Sequence, residues 1–96
     1  MGTETYKKNL QTIIQEKLPD CKLYLFGSRA RNTHDTGADF DLAIDNNKKI
    51  ALKTLCLIKE KIEESSIPVF VDIIDLNDCS EDFIEVIEKE WIQWNT

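Results

Sequence analysis

Three aspartates carry the chemistry this chain could do. Asp39 and Asp41 flank a single phenylalanine in "ADFDLAID" (38–45), and Asp72 interrupts the apolar run "VFVDII" (69–74). On an extended strand, residues i and i+2 share a face with their Cα atoms about 6.5–7 Å apart. Two ionised carboxylates that close repel, and one of them resists ionising. A divalent cation between them removes the conflict, and an oxygen-only donor set suits Mg²⁺ or Mn²⁺ better than zinc. A charge within an apolar strand needs a reason, and for Asp72 the reason is a place in the same cation set from a neighbouring strand. Asp39, Asp41 and Asp72 are therefore the expected metal ligands and catalytic residues.

A small-residue turn in "YLFGSRAR" (24–31) supplies a second component. Gly27 lets the backbone approach a phosphate closely. Ser28 and the amides after it can donate hydrogen bonds at the start of a short helix, where the dipole favours anions. Arg29 or Arg31 can add charge-assisted contacts, one arginine meeting phosphate and the other solvent or a surface acid. Gly27, Ser28, Arg29 and Arg31 are thus the expected nucleotide-binding residues. Phosphate donors beside three carboxylates are what nucleotidyl transfer needs: one cation activates the attacking oxygen and another holds the triphosphate and the leaving pyrophosphate. The other polar residues have plainer readings. Asp35 and Asp45 read as turn residues, His34 as a solvated loop residue, and Asp75 as a surface or turn residue opposite in face to Asp72. Trp91 and Trp94 read first as packing residues and second as a partner surface.

The elements that must position these residues follow from periodicity. Tyr6, Leu10, Ile13, Ile14 and Leu18 recur at helical spacing, so a helix is expected over 3–18, ended by Pro19-Asp20. "CKLYLF" (21–26) reads as a strand, 28–33 as one helical turn, and 39–45 as a strand with Phe40, Leu42 and Ile44 on one face and Asp39, Asp41, Ala43 and Asp45 on the other. A long helix over 48–64 turns Ile50, Leu55, Ile58 and Ile62 inward, and 68–76 is a third, β-branched strand. Asp78 and Glu81 have capping-box spacing ahead of a last helix carrying Phe83, Ile84, Ile87 and Trp91, and the Trp91–Trp94 tail is read as extended. A strand, a long helix and another strand imply parallel pairing of the second and third strands, whereas the compact loop after the first allows antiparallel pairing. The expected fold is α/β (α+β): a small mixed three-stranded sheet with helices packed on one face, the other face partly open and bearing Asp39 and Asp41.

Composition bounds the rest. Ninety-six residues make one domain, 1–96. The net charge of −6 disfavours stable direct binding to nucleic acid. The N-terminus lacks an apolar signal region, and no apolar run reaches about 18 residues, so a cytoplasmic protein without membrane attachment is expected. Cys21, Cys56 and Cys79 show no metal-ligand spacing and are expected as free thiols in a reducing compartment.

Gly27-Ser28, ten residues and then Asp39-Phe40-Asp41 resembles the signature of the DNA polymerase beta nucleotidyltransferase superfamily. "GSRAR" followed by "DFDLAID" is similar to its minimal nucleotidyltransferase branch, the MNT domains, with Asp72 matching the third carboxylate. The resemblance covers nearly the whole chain. It implies a polymerase beta palm-like fold and Mg²⁺-dependent transfer of a nucleotide, commonly AMP from ATP. Many small members are encoded beside a helical HEPN protein, and in such pairs the HEPN protein is a ribonuclease toxin that its antitoxin can adenylylate on a tyrosine. Two positions depart from the family pattern: Asn32 stands where glycine is usual and Ala38 where serine is usual. Larger relatives carry an added helical domain for substrate, so here the acceptor is expected on a partner protein or a second subunit. An oligomer is compatible with this reading. The alternatives are an antitoxin that neutralises its partner by complex formation with little catalysis, and nucleotidyl transfer to a small molecule.

Overall fold

The apolar positions of the first helix wind into one stripe, and everything else is assembled against it. The computed structural model describes residues 3–31 and 39–95, with side chains from Tyr6 onward. Helix α1 (Thr3–Lys17) buries Leu10 and Ile14 completely, and the chain turns at Leu18 before strand β1 (Lys22–Phe26). Strand β2 (Phe40–Asp45) follows, then α2 (Leu52–Glu64), β3 (Val71–Asp75), a 3₁₀ turn (Leu76–Asp78), α3 (Glu81–Glu88) and β4 (Ile92–Gln93).

Among the described residues four strands form the sheet, in the order β3-β2-β1-β4, one more than the three expected. Strand β1 pairs antiparallel with β2, and β2 pairs parallel with β3 through the α2 crossover, both as anticipated. The added strand comes from the Trp91–Trp94 tail and pairs antiparallel with β1, Leu25 opposite Ile92. It has only two residues, too few for any alternation to be read. Its neighbours hold it: Trp94 N donates to Leu23 O at 2.8 Å, Leu23 N to Asn95 Oδ1 at 2.7 Å, and Asn95 Nδ2 to Cys21 O at 2.8 Å.

Leu23 and Leu25 of β1, Phe40, Leu42 and Ile44 of β2 and Ile73 of β3 form one sheet face, buried against Leu10 and Ile14 of α1 and Ile58 and Ile62 of α2. Trp94 closes this core edge-on to Phe40, with ring centroids 6.2 Å apart. The two long helices thus pack on one face, as expected. On the opposite face, Phe83 of α3 meets Phe26 edge-on at 6.2 Å and Trp91 stacks on Tyr24 at 4.0 Å, and Ala43 of β2 is fully buried beside them. Both tryptophans are packing residues.

Three local departures trace to one side chain. Asp75 is buried, not a surface residue, although it does form a turn. Its Oδ2 accepts from Ile50 N at 2.7 Å, which holds residues 48–51 out of the helix and starts α2 at Leu52. Its Oδ1 accepts from Asn77 N at 2.9 Å, capping the 3₁₀ turn that absorbs Asp78. The cap of α3 is therefore Ser80, whose Oγ accepts from Phe83 N at 3.2 Å, and not Asp78.

Candidate active site

Strand register gathers the carboxylates on the sheet's less covered face. Asp41 lies between two neighbours: Phe26 across the antiparallel pair with β1, and Asp72 across the parallel pair with β3. Adjacent strands run about 4.8 Å apart, so Asp41 and Asp72 are nearest neighbours on that face. Asp39 precedes β2 by one residue and shares the parity of Asp41; Phe40 N donates to Phe70 O at 2.9 Å, which fixes this end of the pair. Asp72 and Asp39 are exposed and Asp41 is half-buried. An apolar hollow of about 410 Å³ opens beside Asp72, its wall including Ile62, Pro68 and Phe70.

Gly27 follows β1 directly and turns the chain over Asp41. Its φ of +76° is in the left-handed region, and a Cβ there would overlap the Asp41 carboxylate oxygen and stand 3.1 Å from Asp41 Cγ. Only glycine permits both the turn and that approach. Ala30 N and Arg31 N each donate to Gly27 O at 3.1 Å, closing the expected helical turn as far as Arg31. Ser28 lies in this turn and is partly buried.

The two arginines diverge. Arg29 is buried, with its guanidinium 4.1 Å from the centroid of the Phe40 ring, a cation–π contact on the core side of the sheet. Arg31 stays on the carboxylate side, and its Nη1 donates to Glu90 Oε2 at 2.7 Å. The same Glu90 oxygen accepts from Gly27 N at 2.8 Å. Glu90 was not anticipated, and no local pattern marks it: it meets Gly27 across 63 positions of sequence.

The electrostatics follow from this crowding. Burial raises the Asp41 pKa above the ordinary carboxylate value, Asp72 and Asp39 raise it further, Arg31 opposes the rise, and Glu90 adds to it. Ionised Asp41 is thus disfavoured relative to a free carboxylate, a cost that nearby positive charge would offset. Among the described residues no three acidic, His or Cys side chains are close enough to enclose a metal ion, so the carboxylates share a face without forming a closed shell. Their oxygen-only chemistry and the unfavourable environment of Asp41 fit a hard divalent cation. Asn32, His34, Asp35 and Ala38 lie outside the described residues. Cys21 is buried, Cys79 half-buried and Cys56 exposed, all three as free thiols, and no described helix is long and apolar enough to cross a membrane.

Residues 8–93 match the family model described as Polymerase beta, Nucleotidyltransferase. The chain is 35% identical over 83 residues to a Haemophilus influenzae protein named as the probable protein adenylyltransferase MntA, a match covering 86% of this chain and 73% of that protein. Among solved structures it is similar to a chain of a toxin–antitoxin crystallised with AMP-PNP, with a TM-score of 0.79 and 19% identity over 93% of this chain and 72% of the other. It is also similar to a chain in the complex of a tri-AMPylated Shewanella oneidensis HEPN toxin with MNT antitoxin, with a TM-score of 0.75 and 17% identity over 96% and 71% of the two chains. At these identities the structural likeness speaks for the fold alone.

Proposed function

Because the chain belongs to the polymerase beta nucleotidyltransferase family, we propose that it transfers AMP from ATP to a tyrosine hydroxyl of a HEPN-type partner protein, as the antitoxin of such a pair. The observation that carries this reading is the register of Asp41 against Asp72 beneath the Gly27 turn. Asp39, Asp41 and Asp72 are the residues that would hold Mg²⁺, which when bound neutralises the triphosphate and lowers the pKa of the attacking oxygen. Ser28 and Arg31 bind the phosphates, Gly27 lets the backbone come close to them while its own N–H is held by Glu90, and Arg29 supports the loop from the Phe40 side. The acceptor oxygen attacks the α-phosphorus, the bond from that phosphorus to the bridging oxygen breaks, and pyrophosphate leaves. Asp72, exposed on the edge strand, takes the acceptor's proton. The net charge of −6 favours a protein acceptor over a nucleic acid.

The test is transfer from α-³²P-labelled ATP with Mg²⁺ to the HEPN partner, comparing the protein with its Asp39→Asn/Asp41→Asn form. Label on the partner from the unsubstituted protein alone is the expected result. Absence of label from any of the four nucleotides, with the complex shown to form, would leave neutralisation by binding as the function.

A further inference from the structure

The carboxylate of Glu90 reaches the loop assigned above to phosphate. One oxygen, Oε2, accepts from Gly27 N at 2.8 Å and from Arg31 Nη1 at 2.7 Å. Those donors are the first and last residues of the helical turn that Ala30 N and Arg31 N close on Gly27 O. A single atom therefore ties the loop's two ends together. Glu90 is itself held: its own amide donates to Ile87 O at 3.0 Å, and so does that of Trp91 at 2.9 Å, while the Trp91 ring stacks on Tyr24 of β1. The Glu90 side chain is 22% exposed and the Arg31 side chain 50%, so the acid is the sheltered partner and the guanidinium the open one.

An exposed ion pair contributes little by itself. This one differs because its acceptor also takes a backbone amide and is fixed to a different part of the fold. A guanidinium has five donors in a planar fork, so the pair with Glu90 engages one edge and orients the others. A loop ordered before binding loses less conformational freedom when the ligand arrives.

We propose that Glu90 is a positioning residue for the nucleotide: it orders the Gly27–Arg31 loop in advance and aims the remaining N–H groups of Arg31 at the triphosphate. This rests on the nucleotidyltransferase reading. A carboxylate at phosphate donors also has an opposite physical consequence, competition with the phosphate, and the two make opposite predictions.

The experiment measures equilibrium binding of N-methylanthraniloyl-ATP with Mg²⁺, together with KM and kcat for transfer to the HEPN partner, after thermal denaturation has shown each variant to be folded. Glu90→Ala should weaken binding and raise KM about tenfold, the loss expected for one charge-assisted hydrogen bond, with kcat changed by less than about threefold. Glu90→Gln keeps an amide oxygen able to accept from both donors and should stay within about threefold of the unsubstituted protein. Because part of the effect of Glu90 passes through Arg31, the Glu90→Ala/Arg31→Ala protein should lose less binding than the two single losses multiplied together, the remainder being the contact with Gly27 N. Should Glu90→Ala not fold, Glu90→Asp, one methylene shorter, should weaken binding in the same direction. Unchanged binding in a folded Ala or Asp variant overturns the proposal; so does tighter binding, which would make Glu90 a competitor, or a fall in kcat with KM unchanged. If the unsubstituted protein neither binds nor transfers, the nucleotidyltransferase reading fails with it; if it does both, failure of the Glu90 variants bears on Glu90 alone.

Discussion

Replacing Gly27 by alanine tests the point where the Gly27–Arg31 turn and the carboxylates touch. At φ +76° a residue with a Cβ is strained by about 1–2 kcal/mol. The new methyl group would also stand 3.1 Å from Asp41 Cγ and 3.3 Å from Asp41 Cβ, and would overlap the carboxylate oxygen. That oxygen belongs to a short side chain on a sheet strand, so it escapes only by leaving its rotamer, at about 0.5–1.5 kcal/mol. The sum is about 1.5–3.5 kcal/mol, which for a domain of this size lowers Tm by roughly 6–28 °C. Because the group forced aside is an expected metal ligand, transfer should fall about 100-fold, the loss a displacement of about 1 Å can cause. Circular dichroism gives Tm, and labelled AMP transfer gives the rate at a temperature where both proteins are folded. A folded Gly27→Ala variant with full activity would refute the idea that the packing of Asp41 against Gly27 matters for the chemistry. An unchanged Tm would refute the strain argument itself.

Other consequences concern stability and thiol chemistry. Asp75→Ala removes two hydrogen bonds to a buried carboxylate, each worth about 1.5–3 kcal/mol; urea denaturation should show a loss of about 3–6 kcal/mol, and a loss under about 1 kcal/mol would contradict the role given to Asp75. Asn47 is exposed at φ 64°, so Asn47→Ala should cost about 1 kcal/mol by the same method, and a neutral result would remove the backbone explanation. Under non-denaturing conditions a thiol reagent should label the exposed Cys56 first and Cys21 only on unfolding. Burial pushes the Cys21 thiol up to about 11 from 9.0, so the folded protein keeps a proton that the unfolded chain gives up. The stability this confers is full below pH 9.0 and is lost as pH rises through about 11; a Cys21→Ala protein with an equally steep alkaline decline would show that another group is responsible.

What the sequence alone determined is what local periodicity and chemistry encode. Alternation along 39–45 is a property of consecutive residues, so it set Asp39 and Asp41 on one face and Phe40, Leu42 and Ile44 on the other, before any partner strand was known. The helical stripe of Tyr6 to Leu18 and the buried side of α2 follow from a period of 3.6 in the same way. The parallel pairing of β2 with β3 was legible because a strand joined through a long helix to the next strand leaves few topologies. Only the tertiary structure decided the contacts between distant segments. Asp75 offered the same local pattern as a surface turn residue, and its burial depends on Ile50 arriving from 25 positions away. The fourth strand has two residues and exists because β1 had an unpaired edge to satisfy. Arg29 and Arg31 are indistinguishable by type and spacing; Phe40 draws one beneath the sheet and Glu90 holds the other above it. Glu90 had no sequence signature, because a carboxylate two residues beyond a helix becomes a loop clamp only when folding brings it to Gly27.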